Sequence, residues 1–191
     1  VNLINVSVIG KEVLDAFEEI CAANPELRLE LSAKGELITL SPTGMETGDK
    51  NSRLISRFVV WNESTTPERG LVFDSSTGFK LPNGAIRSPD VSWISKENSD
   101  NIAPEERKGF AQIAPDFVLE LISESDSLKN VQDKMLEYID AGVKLGWLLN
   151  PYTKTVEIYR QGEEKQVLVN PPTLRDENVL ADFVLDLKKI F

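Results

Sequence analysis

Two acidic residues and one lysine stand where their side chains are expensive to place. Asp90 follows Ser88-Pro89 and opens the apolar run VSWI, while Glu120 lies inside FVLELI, flanked by Leu119 and Leu121. A carboxylate in the middle of a buried strand is strongly unfavourable unless it is paired or binds a metal. A buried ion pair or a water-facing sheet edge would account for either acid alone. Two acids at the mouths of neighbouring strand-like segments point to a site. Lys134 sits one residue before Met135 and three after Val131, at the border of an apolar helix face. Lysines at such borders commonly snorkel to solvent. This helix, however, directly follows the Glu120 strand, and its first half belongs near that strand's C-terminal end, where α/β sheets usually place ligands. Two carboxylates can hold a divalent cation and a lysine can add positive charge, the parts needed for phosphodiester hydrolysis.

The flanking patterns supply the scaffold. DFVLELI (116–122) is nearly continuous in apolar residues, as a buried strand should be. Ser125, Asp126 and Ser127 are N-cap candidates for a helix running to Ala141, with Leu128, Val131, Met135 and Tyr138 on its inner face and Gly142 as its stop. LGWLLN (145–150) is a second buried strand, so the unit reads as a β-α-β crossover with parallel strands. Upstream, Val13, Leu14, Phe17, Ile20 and Cys21 give helical spacing over roughly 11–23. LRLELSAKGELITL reads as a hairpin turning at Lys34-Gly35, with Glu30 on the face opposite Leu29 and Leu31. SPTGMETGDKN is a loop leading into a helix over roughly 48–63, with Leu54, Ile55, Phe58 and Val59 on one face. LVFD, TGFKL and AIRSPDVSWI are strand-like, the last two joined by a Pro82-Asn83-Gly84 turn. Residues 95–115 read as an exposed loop with a helical turn near Glu105–Lys108, and VEIYR, QVLVN and VLADFVLDL as further strands. Trp61, Trp93 and Trp147 fall in apolar patterns and belong to the core. The expected class is α/β, or α+β in its segregation: a mixed sheet with helices on its faces.

Composition removes whole classes of chemistry. The 191 residues include no histidine, which excludes Ser–His–Asp and Cys–His catalysis and the zinc-hydrolase sites. Carboxylates without histidine favour Mg²⁺ or Mn²⁺ over zinc, and no organic cofactor is expected. The lone Cys21 forms no internal disulfide and fits a small core position. No apolar run reaches the roughly 18 residues that span a bilayer, and the N-terminus lacks signal-peptide features, so the expected location is cytoplasmic and without membrane contact. The net charge of −10 counts against a general nucleic-acid binder, while leaving room for a local basic cleft.

The pair SPD and ELI, separated by 29 residues, resembles the acidic half of the PD-(D/E)XK nuclease signature. LSPTGMETGDKNSRLI, TGFKLPNGAIRSPDVSWI, PDFVLELISESDSL, DKMLEYIDAGVKLGWLLNP and VEIYR together resemble one branch of it, from about Glu30 to the end. That branch is the Uma-type family of restriction-endonuclease-like proteins, also known as domain of unknown function 820 and common in cyanobacteria. The resemblance implies a restriction-endonuclease-like core over 47–150, preceded by a helix and hairpin (1–46) and followed by extra strands (151–191), in one domain. It implies that Asp90 and Glu120 ligate Mg²⁺ or Mn²⁺ with the Leu121 backbone carbonyl. It implies that Glu30 orients a water or completes the metal shell, where the residues alone would suggest a solvated hairpin position. The signature's lysine should stand at position 122, but Ile122 occupies it. In this branch a lysine on the following helix takes its place, and Lys134 matches that position. Lys50, Arg53, Arg87 and Lys129 are candidates for a phosphate track, though each is also explained as surface charge.

Three readings stay open on the sequence. The first is a Mg²⁺-dependent endonuclease acting on DNA, for which a homodimer would supply two symmetric sites. The second is a nuclease fold kept as a binding or assembly module with weak or no catalysis, favoured by the acidic composition and by Ile122. The third, a glycosidase using Glu120 and Asp90, ranks last, because aromatics make up only 7% of the chain and sugar clefts are usually lined with them.

Overall fold

The computed structural model describes the backbone over residues 2–5, 11–176 and 178–191, and side chains over 16–176 and 178–191. In chain order, strand β1 (Asn2–Asn5) precedes helix α1 (Lys11–Ala23), and then β2 (Arg28–Leu31) and β3 (Glu36–Leu40) form the expected hairpin. Gly35 takes φ 78° in its turn, a left-handed conformation that disfavours other residues. Of the residues that suggested α1, Val13 and Leu14 lie outside the described side chains. Phe17 is buried against Leu31 and Ile86, with Ile20 and Cys21 packed at the rim.

Helix α2 (Met45–Asn62) begins inside the segment expected to be a loop. Its first turns carry the i,i+4 pairs Glu46–Lys50 (2.6 Å) and Asp49–Arg53 (2.7 Å), which offset the weak helix propensity of the glycine and threonine there. Next come β4 (Gly70–Asp74), β5 (Phe79–Lys80), β6 (Ile86–Arg87) and β7 (Val91–Ser95). The Asn83-Gly84 turn joins β5 to β6 as expected, with Gly84 at φ 89°. Residues 95–115 are more structured than their composition suggested. Ser95 caps the short helix α3 (Lys96–Asp100) by accepting from the Asn98 N–H, and a 3-10 turn follows at Glu106–Lys108.

The remaining elements are β8 (Phe117–Leu121), α4 (Leu128–Asp140), β9 (Leu145–Asn150), β10 (Thr155–Arg160), β11 (Gln166–Val169), β12 (Thr173–Asp176) and β13 (Leu180–Asp186). Met135 and Tyr138 are fully buried on the inner face of α4, but Leu128, expected there, is 40% exposed at the helix start. Ser127 occupies the N-cap position without a side-chain cap, and Asp126 instead accepts from the backbone and hydroxyl of Ser123, tightening the turn before the helix.

The main sheet has six strands in the order β11-β10-β9-β8-β7-β4; β8 and β9 run parallel and the other neighbours antiparallel. Helix α2 and the β12–β13 hairpin cover one face through Leu54, Phe58, Trp61, Phe183 and Leu185, packed on Phe117, Leu119 and Trp147. Helix α4 covers the other, where Met135 and Tyr138 meet Val118, Ile122 and Leu148. Alternation along β8 therefore sends Phe117, Leu119 and Leu121 towards α2, and Glu120 towards α4. Gly146 lets α4 lie close, since a Cβ there would come within 2.5 Å of the Met135 methyl. A second, antiparallel sheet of order β1-β3-β2-β6-β5 stands beside the main one. All three tryptophans are core residues, as their patterns suggested. No helix among the described residues is long and apolar enough to cross a membrane.

Candidate active site

Glu120 is 7% exposed on the α4 face of β8, and α4 supplies both its partners. The Lys134 ammonium stands 2.8 Å from Oε1, and the Tyr138 hydroxyl donates to the same oxygen at 2.9 Å. Lys134 and Tyr138 are four residues apart, stacked on one helix face, with the ammonium 5.7 Å from the tyrosine ring centroid. The described residues direct no hydrogen bond to Oε2, which is left for another ligand. Burial pushes the Glu120 carboxyl up to about 7; Lys134 opposes that shift, and the charges of Asp90 and Glu30 add to it. Burial alone would lower the Lys134 ammonium, but Glu120 and Glu30 hold it above its ordinary value, so the lysine is a fixed cation.

Asp90 lies in the turn entering β7, next to the end of β8. Its Oδ2 accepts the Leu121 N–H at 2.8 Å, and its Oδ1 accepts from Asn51 Nδ2 of α2 at 3.2 Å. Burial raises its carboxyl above the ordinary value despite those two bonds. The register of β7 on β8 pairs Val91 with Leu119, so the next rung in phase sets Pro89 opposite Leu121. A strand residue points its N–H and C=O to the same edge, and proline has no N–H to donate. In that register the Leu121 carbonyl would have no ladder donor at position 89. Asn51 Oδ1, bonded to the same amide carbon that carries Nδ2, is also buried without a hydrogen-bond partner.

Glu30 is the member whose surroundings the sequence did not reveal. It does point away from Leu29 and Leu31, but α4 and β6 cover that face and leave it 1% exposed. Its Oε1 meets Lys134 at 3.0 Å and the Ser88 N–H at 2.9 Å, and its Oε2 meets Arg87 at 3.0 Å. Burial would raise its carboxyl, but Lys134 and Arg87 hold it below the ordinary value. Arg87 also bonds Glu137 of α4 at 2.5 Å, and Glu137 accepts the Ala33 N–H. The buried cluster thus sets Glu30, Asp90, Glu120 and Glu137 against Arg87 and Lys134, four carboxylates against two cations. The nearby Asp126 adds to the negative potential at Asp90.

These features fit a divalent cation between Asp90 and Glu120: two raised carboxylates, a free carboxylate oxygen, a carbonyl without a ladder donor and an orphaned amide oxygen, all hard oxygens. Among the described residues, no group of three or more acidic or thiol side chains is gathered to hold a metal by itself, so a backbone or amide oxygen would have to complete the set. Ile122 is 5% exposed in the core under α4.

The phosphate-track candidates divide. Arg87 is buried between two carboxylates and does not face an open track. Lys50 pairs with Glu46, Arg53 with Asp49 and Lys129 with Asp133, each on an outer helix turn. Gln132 donates to Glu157 at 2.7 Å in a separate cluster with Tyr159 and Lys165. Tyr138, Asn51 and Glu137 were missed as site residues. Tyr138 was legible in part: a buried glutamate needs a donor, and Tyr138 lies one helical turn beyond Lys134. Asn51 and Glu137 gave no local signal. A second Pro-Asp dipeptide, Pro115-Asp116, lies at the opposite end of β8, where the carboxylate is saturated by Ser95 N–H, Asn98 and Lys144.

The family model described as "Uma2: Putative restriction endonuclease" matches residues 14–188. No curated protein matches significantly. A crystal structure of a "putative nuclease belonging to DUF820" from Anabaena variabilis shares the fold, with a TM-score of 0.71 and 24% identity over 87% of this chain and 90% of that one. A cryo-EM structure of a DrdV–DNA complex aligns with a TM-score of only 0.35 and 13% identity, over 72% of this chain and 13% of that one, and carries no argument. With the model spanning nearly the whole sequence and the fold shared, the chain belongs to the Uma2 family of putative restriction endonucleases.

Proposed function

We propose that the protein is a divalent-cation-dependent nuclease that hydrolyses DNA phosphodiester bonds. The observation that carries this reading is the approach of Lys134 to Glu120, at 2.8 Å from a different element than the one that carries Ile122. A buried acid pair and a lysine are thereby available together at the C-terminal end of β8.

Asp90 and Glu120, with the Leu121 carbonyl, would hold Mg²⁺ or Mn²⁺, which when bound supplies Lewis-acid polarisation of phosphate and a lowered pKa for water. Tyr138 and Lys134 fix one oxygen of Glu120 and leave the other to face the ligand. Lys134, held charged, offers a counter-charge to the phosphate as negative charge develops. Lys50, Arg53 and Lys129 would contribute phosphate contacts by exchanging exposed carboxylate partners, since such surface pairs are worth little. A homodimer would bring two such sites to a duplex.

The net charge of −10 favours a second reading, a nuclease fold serving as a binding module. A nicking assay on supercoiled plasmid with Mg²⁺ or Mn²⁺ separates the two. Wild type should nick only with metal, and Asp90→Ala, Glu120→Gln and Lys134→Ala, each verified as folded, should lose about a hundredfold or more in rate. Loss in the carboxylate variants alone would keep the nuclease and remove Lys134 from it. Inactivity of wild type together with no Mn²⁺ binding would leave the binding module.

A further inference from the structure

Glu30 touches both halves of the candidate site. One carboxylate oxygen receives Lys134 and the Ser88 N–H, and the other receives Arg87. Ser88 begins the turn that carries Asp90. Glu30 therefore spans the distance between the lysine and the first acid. Arg87 holds Glu30 in turn, and its other side is bonded to Glu137. Glu137 and Lys134 are three residues apart on α4, so both leave the helix on one face. Glu30, Arg87, Glu137 and Lys134 thus close a ring through one turn of α4. This ring docks the helix on the smaller sheet, with Glu30 and Arg87 almost wholly buried.

Resting on the nuclease reading above, we propose that Glu30 and Arg87 form a positioning pair: Glu30 aims the Lys134 ammonium at the Glu120 edge of the site and ligates no cation itself. Three observations carry this. Every hydrogen bond at Glu30 is spent on the chain's own donors. A planar guanidinium with its donors in a rigid fork suits the bridge between Glu30 and Glu137 better than an ammonium could. The lysine lies on the helix that follows β8 and meets Glu120 at 2.8 Å, and Glu30, at 3.0 Å, is the second carboxylate that fixes the direction of its ammonium.

The test uses the full chain and the charge-conserving double variant Glu30→Gln/Arg87→Met, which removes one negative and one positive charge. Mn²⁺ affinity is measured by electron paramagnetic resonance, the Lys134 ammonium by ¹⁵N NMR, and nicking at saturating Mn²⁺. The expected result is Mn²⁺ affinity close to wild type and loss of the slowly exchanging Lys134 ammonium signal. The nicking kcat should fall about tenfold to a hundredfold, as for other groups that orient a functional side chain. Added to Lys134→Met, the same double change should cost nothing more, because Glu30 acts through the lysine. Should the double variant fail to fold, Glu30→Gln alone enters the same cycle. Mn²⁺ affinity reduced as far as in Glu120→Gln would make Glu30 a ligand and overturn the proposal. So would an undiminished effect in the Lys134→Met background. A wild type that binds no Mn²⁺ would remove the nuclease reading, while the ammonium signal would still decide whether Glu30 holds the lysine.

Discussion

Glu120 holds the sharpest conflict between a side chain and its surroundings. Its carboxyl rises to about 7 in the fold against an ordinary 4.5, burial being the main cause. An acid whose folded pKa is raised binds its proton more tightly folded than unfolded, so its contribution to stability falls as pH rises between the two values. Without metal, Glu120 should therefore cost the protein stability progressively from about pH 4.5 to pH 7, by a few kcal/mol at most. Thermal melts against pH check this: metal-free Glu120→Gln should match wild type near pH 4.5 and melt higher at pH 8. Equal melting temperatures throughout would mean that Lys134 and Tyr138 fully compensate the charge. The same shift makes protons compete with Mn²⁺, so apparent metal affinity should rise with pH up to about 7 and then level off.

Strand β7 and helix α4 hold the site between them. The β7–β8 register, continued by two residues, would set Pro89, which has no N–H, opposite Leu121. Pro89→Ala should restore a donor there and weaken Mn²⁺ binding several-fold, with stability changed by no more than about 1 kcal/mol. Mn²⁺ titration beside a denaturant melt checks it, and unchanged Mn²⁺ affinity would remove the Leu121 carbonyl from the ligand set. Helix α4 performs three tasks at once. Met135 and Tyr138 bury it on the main sheet, Glu137 and Lys134 bind the smaller one, and the β-α-β crossover delivers its first half to the end of β8. Its period was legible because apolar residues recur at 131, 135 and 138. Its second contact surface was not, because Lys134 and Glu137 look like ordinary solvated charges until a second sheet stands opposite them.

For the whole molecule, the proposed function would require an excess of ten negative charges to coexist with a polyanionic substrate. Local cations then matter more than net charge. If DNA crosses the site edge, replacing Lys50, Arg53 or Lys129 by Ala should each lower the slope of log affinity against log salt by about 1. Fluorescence anisotropy with a duplex in Ca²⁺ at several salt concentrations reads this directly. Arg87, buried against two carboxylates, could not be tested this way, since its loss would act on the fold.

The sequence by itself determined the β-α-β unit, the hairpins with their glycine turns and the tryptophan core, and it singled out Asp90, Glu120 and Lys134 as site candidates. These follow from local periodicity, from turn chemistry and from the cost of burying an acid, all of which act over a few residues. Only the tertiary structure decided that Glu30 and Arg87 are buried and that Tyr138 and Asn51 hold the two acids. Each of those depends on which elements meet across the gap between two sheets. No spacing along the chain encodes that meeting, because partners such as Glu30 and Lys134 stand 104 residues apart and are brought together by packing alone.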